Sequence, residues 1–507
     1  MGAALGRTAR KFRQKVALVF EGRQWSFEEL DQAASNVAAA LLSSGCQSGD
    51  RIATYGHNSD GYILAWLGCA RAGLVHVPIN FGLFGDELAY IIRHADARVI
   101  LTDAGKLEAV QALTDLPSVK MIGTFTGGGD FDILTIALAR AGHSVDPNVT
   151  SDQLAQIQYT SGTTSAPKGA MMQHKAILSE YISCIHALDY AADDRALAAL
   201  PLYHTAQMQA FFMPQMLVGT CTYLIDGPSA LNVFQMIDRH RLNSFFAPPT
   251  VWISLLRHPE FDSFDLSSLQ KIYYGASIMP GPILGELALR LPGAALYNVY
   301  GQSEIGPVAT VLSPAEHHDR PSSAGRPVLN VETRIVDAEM NDVAPGEQGE
   351  IVHRSPQLLS GYWQQPDETE AAFEGGWFHS GDVGYQDSEG YIFISDRLRD
   401  VINTGGVLVA GREVEDALFA HPAVSEVAVI GLPDPLWIEA ITAVVVLKEG
   451  GVASEDELIA FAQRTIAKHK VPKRVAFVSD LPRNASGKIL KRELRAKFSE
   501  SLAQAGR

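Results

Sequence analysis

Two hydrophobic patterns alternate along the first part of the chain. From Ser26 to about Leu101, stretches with apolar residues three and four apart, such as SFEELDQAASNVAAALLSSG, are separated by short apolar runs bounded by Gly or Asp, such as DRIATYG and ARVILTD. The first pattern predicts amphipathic helices and the second buried strands. Their alternation predicts βα units around a sheet. The same rhythm returns in RALAALPLYH, TCTYLIDG and NSFFAPPTVWISLL, which predicts a second α/β layer over roughly residues 185–300. After about residue 322 the texture changes to short strand-like segments between turns, ETRIVDAEMNDVAPGEQGEIVHRS and then GWFHSGDVGYQDSEGYIFISD, which predicts a small β-rich unit. Beyond Asp396, EVEDALFAHP and SEDELIAFAQRTIAKH read as helices and VSEVAVIGLPD and ITAVVVLKEG as strands.

The expected fold class is therefore α/β. A large N-terminal domain, 1–395, would hold two α/β sheet layers (about 1–184 and 185–321) and a β-rich subdomain (322–395). A small α+β domain, 396–507, would follow, with the boundary at Asp396. No repeat of fixed short period is present.

Composition narrows the partners. The 507 residues are 47% hydrophobic, enough for more than one buried core. A net charge of −16 argues against nucleic acid as the main partner, so an anionic ligand has to be held by local basic residues. One such stretch exists: Arg464 to Lys497 carries eleven Lys/Arg against Asp480 and Glu493. Cys46, Cys69, Cys184 and Cys221 form no CxxC pair, so neither a zinc site nor a disulfide framework is expected, and a reducing cytoplasm is the simplest location. The start MGAALGRTARKFRQK lacks the apolar run of a signal peptide, and Gly6 stands where an N-myristoylation signal needs Ser or Thr. No segment approaches the length of a membrane helix. A homodimer is compatible with all of this.

Residues 159–169, YTSGTTSAPKG, carry the most suggestive chemistry. A Walker A loop needs Gly-Lys followed by Ser or Thr, whereas here Lys168 precedes Gly169 and Ala170. No G-x-S-x-G elbow is present either, since GASIM and GQSEI both lack the closing glycine. What remains is a loop with hydroxyls at Thr160, Ser161, Thr163 and Thr164, amides freed by Gly162 and Gly169, and the cation of Lys168. Such a loop can cover a polyphosphate.

This stretch resembles the signature loop of the adenylate-forming superfamily, which includes acyl-CoA synthetases, luciferases and non-ribosomal adenylation domains. Further segments match in order: PLYHTA (201–206), YYGAS (273–277), YGQSE (300–304), GWFHSGD (376–382), DRLRDVINTGG (396–406) and PRNASGKILKREL (482–494). The resemblance implies an enzyme that joins a carboxylate to ATP as an acyl-adenylate and passes the acyl group to coenzyme A, releasing AMP and pyrophosphate, with Mg²⁺ as cofactor. It places Lys488, Glu304, Lys168 and His204 in catalysis, Glu304 on Mg²⁺, and Asp382 with Arg397 at the ribose. Gly275, Ala276, Ser277, Tyr300, Gly301, Gln302 and Ser303 would flank the adenine and Mg-ATP. A hinge at Asp396 would let the small domain turn, withdraw Lys488, and present Gly405, Gly406 and Trp437 to the pantetheine arm of CoA.

Tyr203, His204, Gln207, Met208, Phe245, Phe246, Trp252 and Met279 make an expected apolar or aromatic pocket wall for the acid. Positions near FFAPPT offer no Asp for an α-amino group, which favours a fatty, cyclic or aryl acid over an amino acid. Three positions depart from the family pattern. Ser165 replaces a loop glycine, GGVLVAGRE replaces GGENVYPxE, and Ile438 stands where a glycine usually precedes the glutamate. The last two concern the acceptor side, so a ligase with another acceptor, a carrier-protein thiol or an amine, is the alternative. A binding protein that has lost catalysis on the same fold is the remaining one.

Overall fold

Ser26 opens the first long helix, Phe27–Ser43, through a reciprocal cap. Its hydroxyl accepts the Glu29 amide at 3.2 Å, while Glu29 Oε2 accepts the Ser26 amide at 2.8 Å. The computed structural model describes residues 1–128, 131–139, 145, 148–160, 167–398, 400–404, 407–434, 436–483 and 489–505.

Among these residues four sheets form. A six-stranded sheet has the order Met121–Thr124, Ala97–Thr102, Arg51–Tyr55, Val75–Ile79, Leu154–Thr160, Lys168–Gln173. It is parallel except for its last pair. The helix Asp60–Ala72 crosses between two of its strands and is buried along nearly its whole length. A nine-stranded sheet runs from Arg326–Pro327 through Thr310–Leu312, Ala295–Tyr300, Lys271–Gly275, Ser244–Phe246, Arg195–Ala198 and Cys221–Leu224 to Val16–Phe20 and Arg23–Ser26. Here the division expected at 184/185 does not coincide with the sheets. Leu18, Val19 and Phe20 pair in parallel with Thr222, Tyr223 and Leu224, so the chain start completes the second layer. Local rhythm cannot reveal a pairing that spans two hundred residues.

The two layers meet at Asn58. Its side-chain amide donates to the carbonyls of Leu200 and Ile225, both at 2.9 Å, and its Oδ1 accepts the Leu202 amide at 2.8 Å. The carboxamide is buried with these groups satisfied, so the strand ends around the cleft are held at fixed spacing.

The β-rich unit is an antiparallel sheet of Glu332–Val336, Gly349–Arg354, Phe378–Gln386 and Ile392–Arg397. The last sheet contains Ile402–Thr404, Val407–Val409, Val424–Asp434, Ile438–Leu447 and Arg474–Phe477. Val414 and Leu418 of helix Gly411–Phe419 pack on it with Val429, Ile441 and Val445. The helix expected over SEDELIAFAQRTIAKH ends at Ala462, where Thr465 turns back to the Ala462 carbonyl at 3.0 Å. Thr465 and Ile466, branched at Cβ, weaken its continuation.

Candidate active site

The motif residues converge where strands of three sheets end. Strand Leu154–Thr160 delivers Thr160, whose Oγ1 donates to Glu304 Oε1 at 3.0 Å. Glu304 sits in the short turn Ser303–Ile305 and is 8% exposed. The Tyr362 phenol approaches the same oxygen at 3.4 Å. Burial first, and then the Glu304 charge, push the Tyr362 phenol well above its ordinary pKa, so it stays a donor. Ser303 Oγ and Thr205 Oγ1 lie 2.9 Å apart, joining this turn to the PLYHTA segment.

A carboxylate held only through hydroxyls matches what Mg²⁺ asks of a protein. The ion takes few carboxylates and completes its shell with water and phosphate oxygens. Among the described residues no group of three or more His, Cys, Asp and Glu could cage a metal ion, and Glu304 is the carboxylate beside these hydroxyls that could anchor one. Bound there, Mg²⁺ would neutralise phosphate charge.

Asp382 is 4% exposed on strand Phe378–Gln386. Tyr300 Oη donates to its Oδ2 at 2.8 Å, and Arg397 Nε lies 2.9 Å from its Oδ1. Register explains the second contact, since Asp382 and Arg397 are directly paired on neighbouring strands. Gln302 Nε2 donates to the Ser380 carbonyl at 3.1 Å, so the YGQSE and SGD segments lock together. In YYGAS, a Cβ at Gly275 would fall 2.1 Å from the Val299 carbonyl oxygen, and Ala276 follows with φ of 63°. Only glycine permits that approach, and the turn places Ala276 on the cavity wall.

Lys168 pairs with a residue the sequence reading did not name. Its ammonium forms an ion pair with Glu368 and lies 5.2 Å from the centre of the Tyr362 ring. Glu368 belongs to helix Pro366–Ala372, which the sequence reading did not connect with the site. Strand Lys168–Gln173 supplies the link: Trp363 and Met171 exchange backbone bonds with Gly169 and Gly361 at 2.8 and 2.9 Å. Tyr362 and Glu368 were therefore missed as site neighbours. The GYWQQPDET run carries only a helix-start signal at Pro366.

Of the expected pocket wall, His204, Gln207 and Phe246 line a cavity of about 10 Å³ with Leu200, Pro201 and Ala276. That volume is room for roughly one water. Gln207 lies in the π-helix Ala206–Phe212, and its Oε1 accepts the Leu200 amide at 3.2 Å. Phe211 stacks on Phe246, with ring centroids 3.9 Å apart and planes 11° from parallel, in the core cluster behind this wall. Met279, Phe245 and Trp252 lie in the core cluster of the nine-stranded sheet and do not line the cavity, and neither does Tyr203. The Tyr203 ring packs edge-on against Phe81.

On the small domain, Trp437 is 38% exposed with Lys473 Nζ 4.7 Å from its ring centre. Ile438 has φ of 69°, a conformation that costs a β-branched residue about 1–2 kcal/mol. Asp396 Oδ2 accepts the Gly411 amide at 2.7 Å. Ser161, Gly162, Thr163, Thr164, Ser165, Gly405, Gly406 and Lys488 lie outside the described residues.

The AMP-binding enzyme family matches residues 5–363, and its C-terminal domain matches 413–488. The chain belongs to this family, and with it to the adenylate-forming superfamily. It is thus an enzyme, an AMP-forming acid–thiol ligase that activates a carboxylic acid with Mg-ATP and passes it to coenzyme A. A feruloyl-CoA synthase from Amycolatopsis sp is 35% identical over 492 residues, covering 97% of this chain and 98% of that protein. The anthranilate CoA ligase AuaEII in complex with anthranoyl-AMP superposes with a TM-score of 0.93 at 27% identity, covering 99% of this chain and 98% of that one. ATP-bound MatB from Rhodopseudomonas palustris gives 0.91 at 28% identity, covering 98% and 99%. Among the described residues no helix is long and apolar enough to cross a membrane.

Proposed function

We propose that the acid is a compact aryl carboxylate and that its thioester with CoA is the product. The observation that carries this is the aromatic pair behind the pocket wall. Phe246 lines the cavity beside Gln207 and Ala276 and is held by its stack on Phe211, a wall that suits a flat ring better than a long alkyl chain. A feruloyl-CoA synthase and an anthranilate ligase among the relatives agree with it.

The residues take these roles in the proposal. Thr160, Ser161, Thr163, Thr164 and Lys168 hold phosphate oxygens, and Glu304 holds Mg²⁺. Asp382, fixed by Tyr300 and Arg397, accepts the ribose hydroxyls. Lys488 bridges the substrate carboxylate and the α-phosphate, an electrostatic role worth roughly 10²–10³ in rate. The domains divide at 395/396, and the small domain turns about Asp396 between the two half-reactions. A cytoplasmic location and a homodimer belong to the same reading, testable by fractionation and sedimentation. Ile438 and the GGVLVAGRE run mark where the acceptor side of this chain departs from the family pattern.

The deciding experiment is acid-dependent pyrophosphate release over a panel of aryl, cyclic and fatty acids, with and without CoA, with products identified by mass. Aryl-CoA thioesters are expected. Preference for long-chain acids would overturn the substrate reading, and adenylate without thioester would move the weight to another acceptor.

A further inference from the structure

We propose that Lys491, paired with helix Gly411–Phe419 beside Asp396, and Arg495, paired with Asp400, together clamp the C-terminal helix against the segment joining the two domains, and that Lys491 is thereby a positioning residue for adenylation. This rests on the reading that Lys488 is the catalytic lysine. Helix Lys491–Ala505 begins three residues after Lys488, so whatever fixes its first turn fixes one stem of the lysine loop. The loop's base is closed: Arg483 bridges Ile489, and the Leu490 amide donates to the Pro482 carbonyl at 2.8 Å. The other stem is held by an ion pair of Arg483 with Glu426. The helix and the closed base together fix both chain ends from which the Lys488 segment departs.

Lys491 and Arg495 are one turn apart and share a face of that helix. Lys491 Nζ lies 2.9 Å from Glu415 Oε1, with 17% and 12% of the two side chains exposed. Arg495 Nη1 lies 2.7 Å from Asp400 Oδ1. Each partner is anchored in turn. Glu415 Oε1 also accepts the Val429 amide at 2.8 Å, which ties it to the small domain's sheet. Asp396, whose carboxylate points into the same cluster, is paired with Val383 in the sheet of the large domain. At Gly411 an added Cβ would meet Asp396 Oδ2 at 3.3 Å and Lys491 Nζ at 3.4 Å, so all three groups crowd one point. Burial raises the Asp396 carboxyl pKa, and the Lys491 charge opposes that rise.

The lysine thus stands between an acid fixed to one domain and an acid fixed to the other. A buried ion pair is weak evidence for stability, because an apolar side chain can pack as well. What the charges add is direction: two bonded contacts, four residues apart, define the angle of the helix as one would not. The anthranoyl-AMP complex superposes with a TM-score of 0.93 over 99% of the chain, which agrees with an arrangement compatible with a bound adenylate. Turning the small domain away would part Lys491 from Asp396, so the clamp also weights the domain equilibrium.

The test uses the full-length protein with Lys491→Met, which keeps the stem length and removes the charge, Lys491→Arg and Arg495→Met. Two half-reactions are followed with ferulate as probe: acid-dependent ATP–pyrophosphate exchange, and thioester formation from synthetic feruloyl-adenylate and CoA. Exchange by wild type checks the underlying reading first, and if ferulate fails, the best acid of the panel replaces it. For Lys491→Met, exchange should fall roughly 10- to 100-fold in kcat, thioester formation should stay within about twofold, and Lys491→Arg should recover most of the loss. Arg495→Met should show the same split, more weakly. Tryptic cutting within 396–400 should also accelerate in Lys491→Met, a readout that needs no acid. Equal loss of both half-reactions, no loss of either, or unchanged tryptic cutting overturns the proposal.

Discussion

Tyr300 Oη donates to Asp382 Oδ2 at 2.8 Å, which orients a carboxylate already paired through its other oxygen with Arg397. In the proposed role of ribose acceptor, a carboxylate so fixed would lose little to rotation when nucleotide binds. Asp382→Asn removes its charge and leaves Arg397 without its partner. The KM for ATP in pyrophosphate exchange should rise roughly 10- to 100-fold, the range for bonds to a charged group. Tyr300→Phe should raise it only about threefold, and an unchanged KM in Asp382→Asn would remove Asp382 from the ribose site.

If Lys168 holds phosphate as proposed, its ion pair with Glu368 would compete for the same ammonium. Glu368→Gln keeps the shape and releases the lysine. A partly exposed pair contributes up to about 1 kcal/mol, so Mg-ATP should bind roughly two- to fivefold tighter in calorimetric titration without acid. Equal affinity would mean that the pair persists when nucleotide is bound.

In the proposed acyl pocket, Phe246 would limit how far the acid can reach. Phe246→Ala removes a ring stacked at 3.9 Å on Phe211 and should cost about 3–5 kcal/mol of stability. The kcat/KM ratio of bulky to small aryl acids should rise about tenfold. Matched loss on both acids would place the substrate elsewhere.

Acid should weaken the fold. His76, His174 and His353 are buried, and burial lowers their pKa to about 3, about 4 and about 4. Below about pH 6.5 the unfolded chain takes up protons that these folded sites refuse. Their stabilisation is therefore complete above that pH and is lost as pH falls toward 4. Each accounts for roughly 2 kcal/mol between pH 7 and pH 5. Unfolding midpoints at matched ionic strength should drop over that interval, and His353→Gln should flatten the dependence.

Much of this site was legible because its chemistry lies in short contiguous runs. YGQSE and SGD each show their residues in sequence, and the structure brings Tyr300, Gln302, Glu304 and Asp382 into the contacts described. The expected strands in DRIATYG, ARVILTD and VSEVAVIGLPD formed because apolar runs between turn residues have few other solutions. What escaped depends on distance along the chain. Glu368 lies two hundred residues from Lys168, and neither residue type nor spacing connects them. Residues 16–26 joined the far sheet for want of any local mark. Met279 and Trp252 were expected at the pocket because apolar side chains read alike whether they line a cavity or fill a core.

The carboxamide of Asn58 gives the large domain one stationary jaw. With three backbone groups of the opposing strand ends bonded to a single side chain, the proposed gap for the acid would keep its width even if the smaller unit swings as proposed. Choice of acid and choice of acceptor would then reside in separate parts of the machine, each open to retooling without disturbing the other.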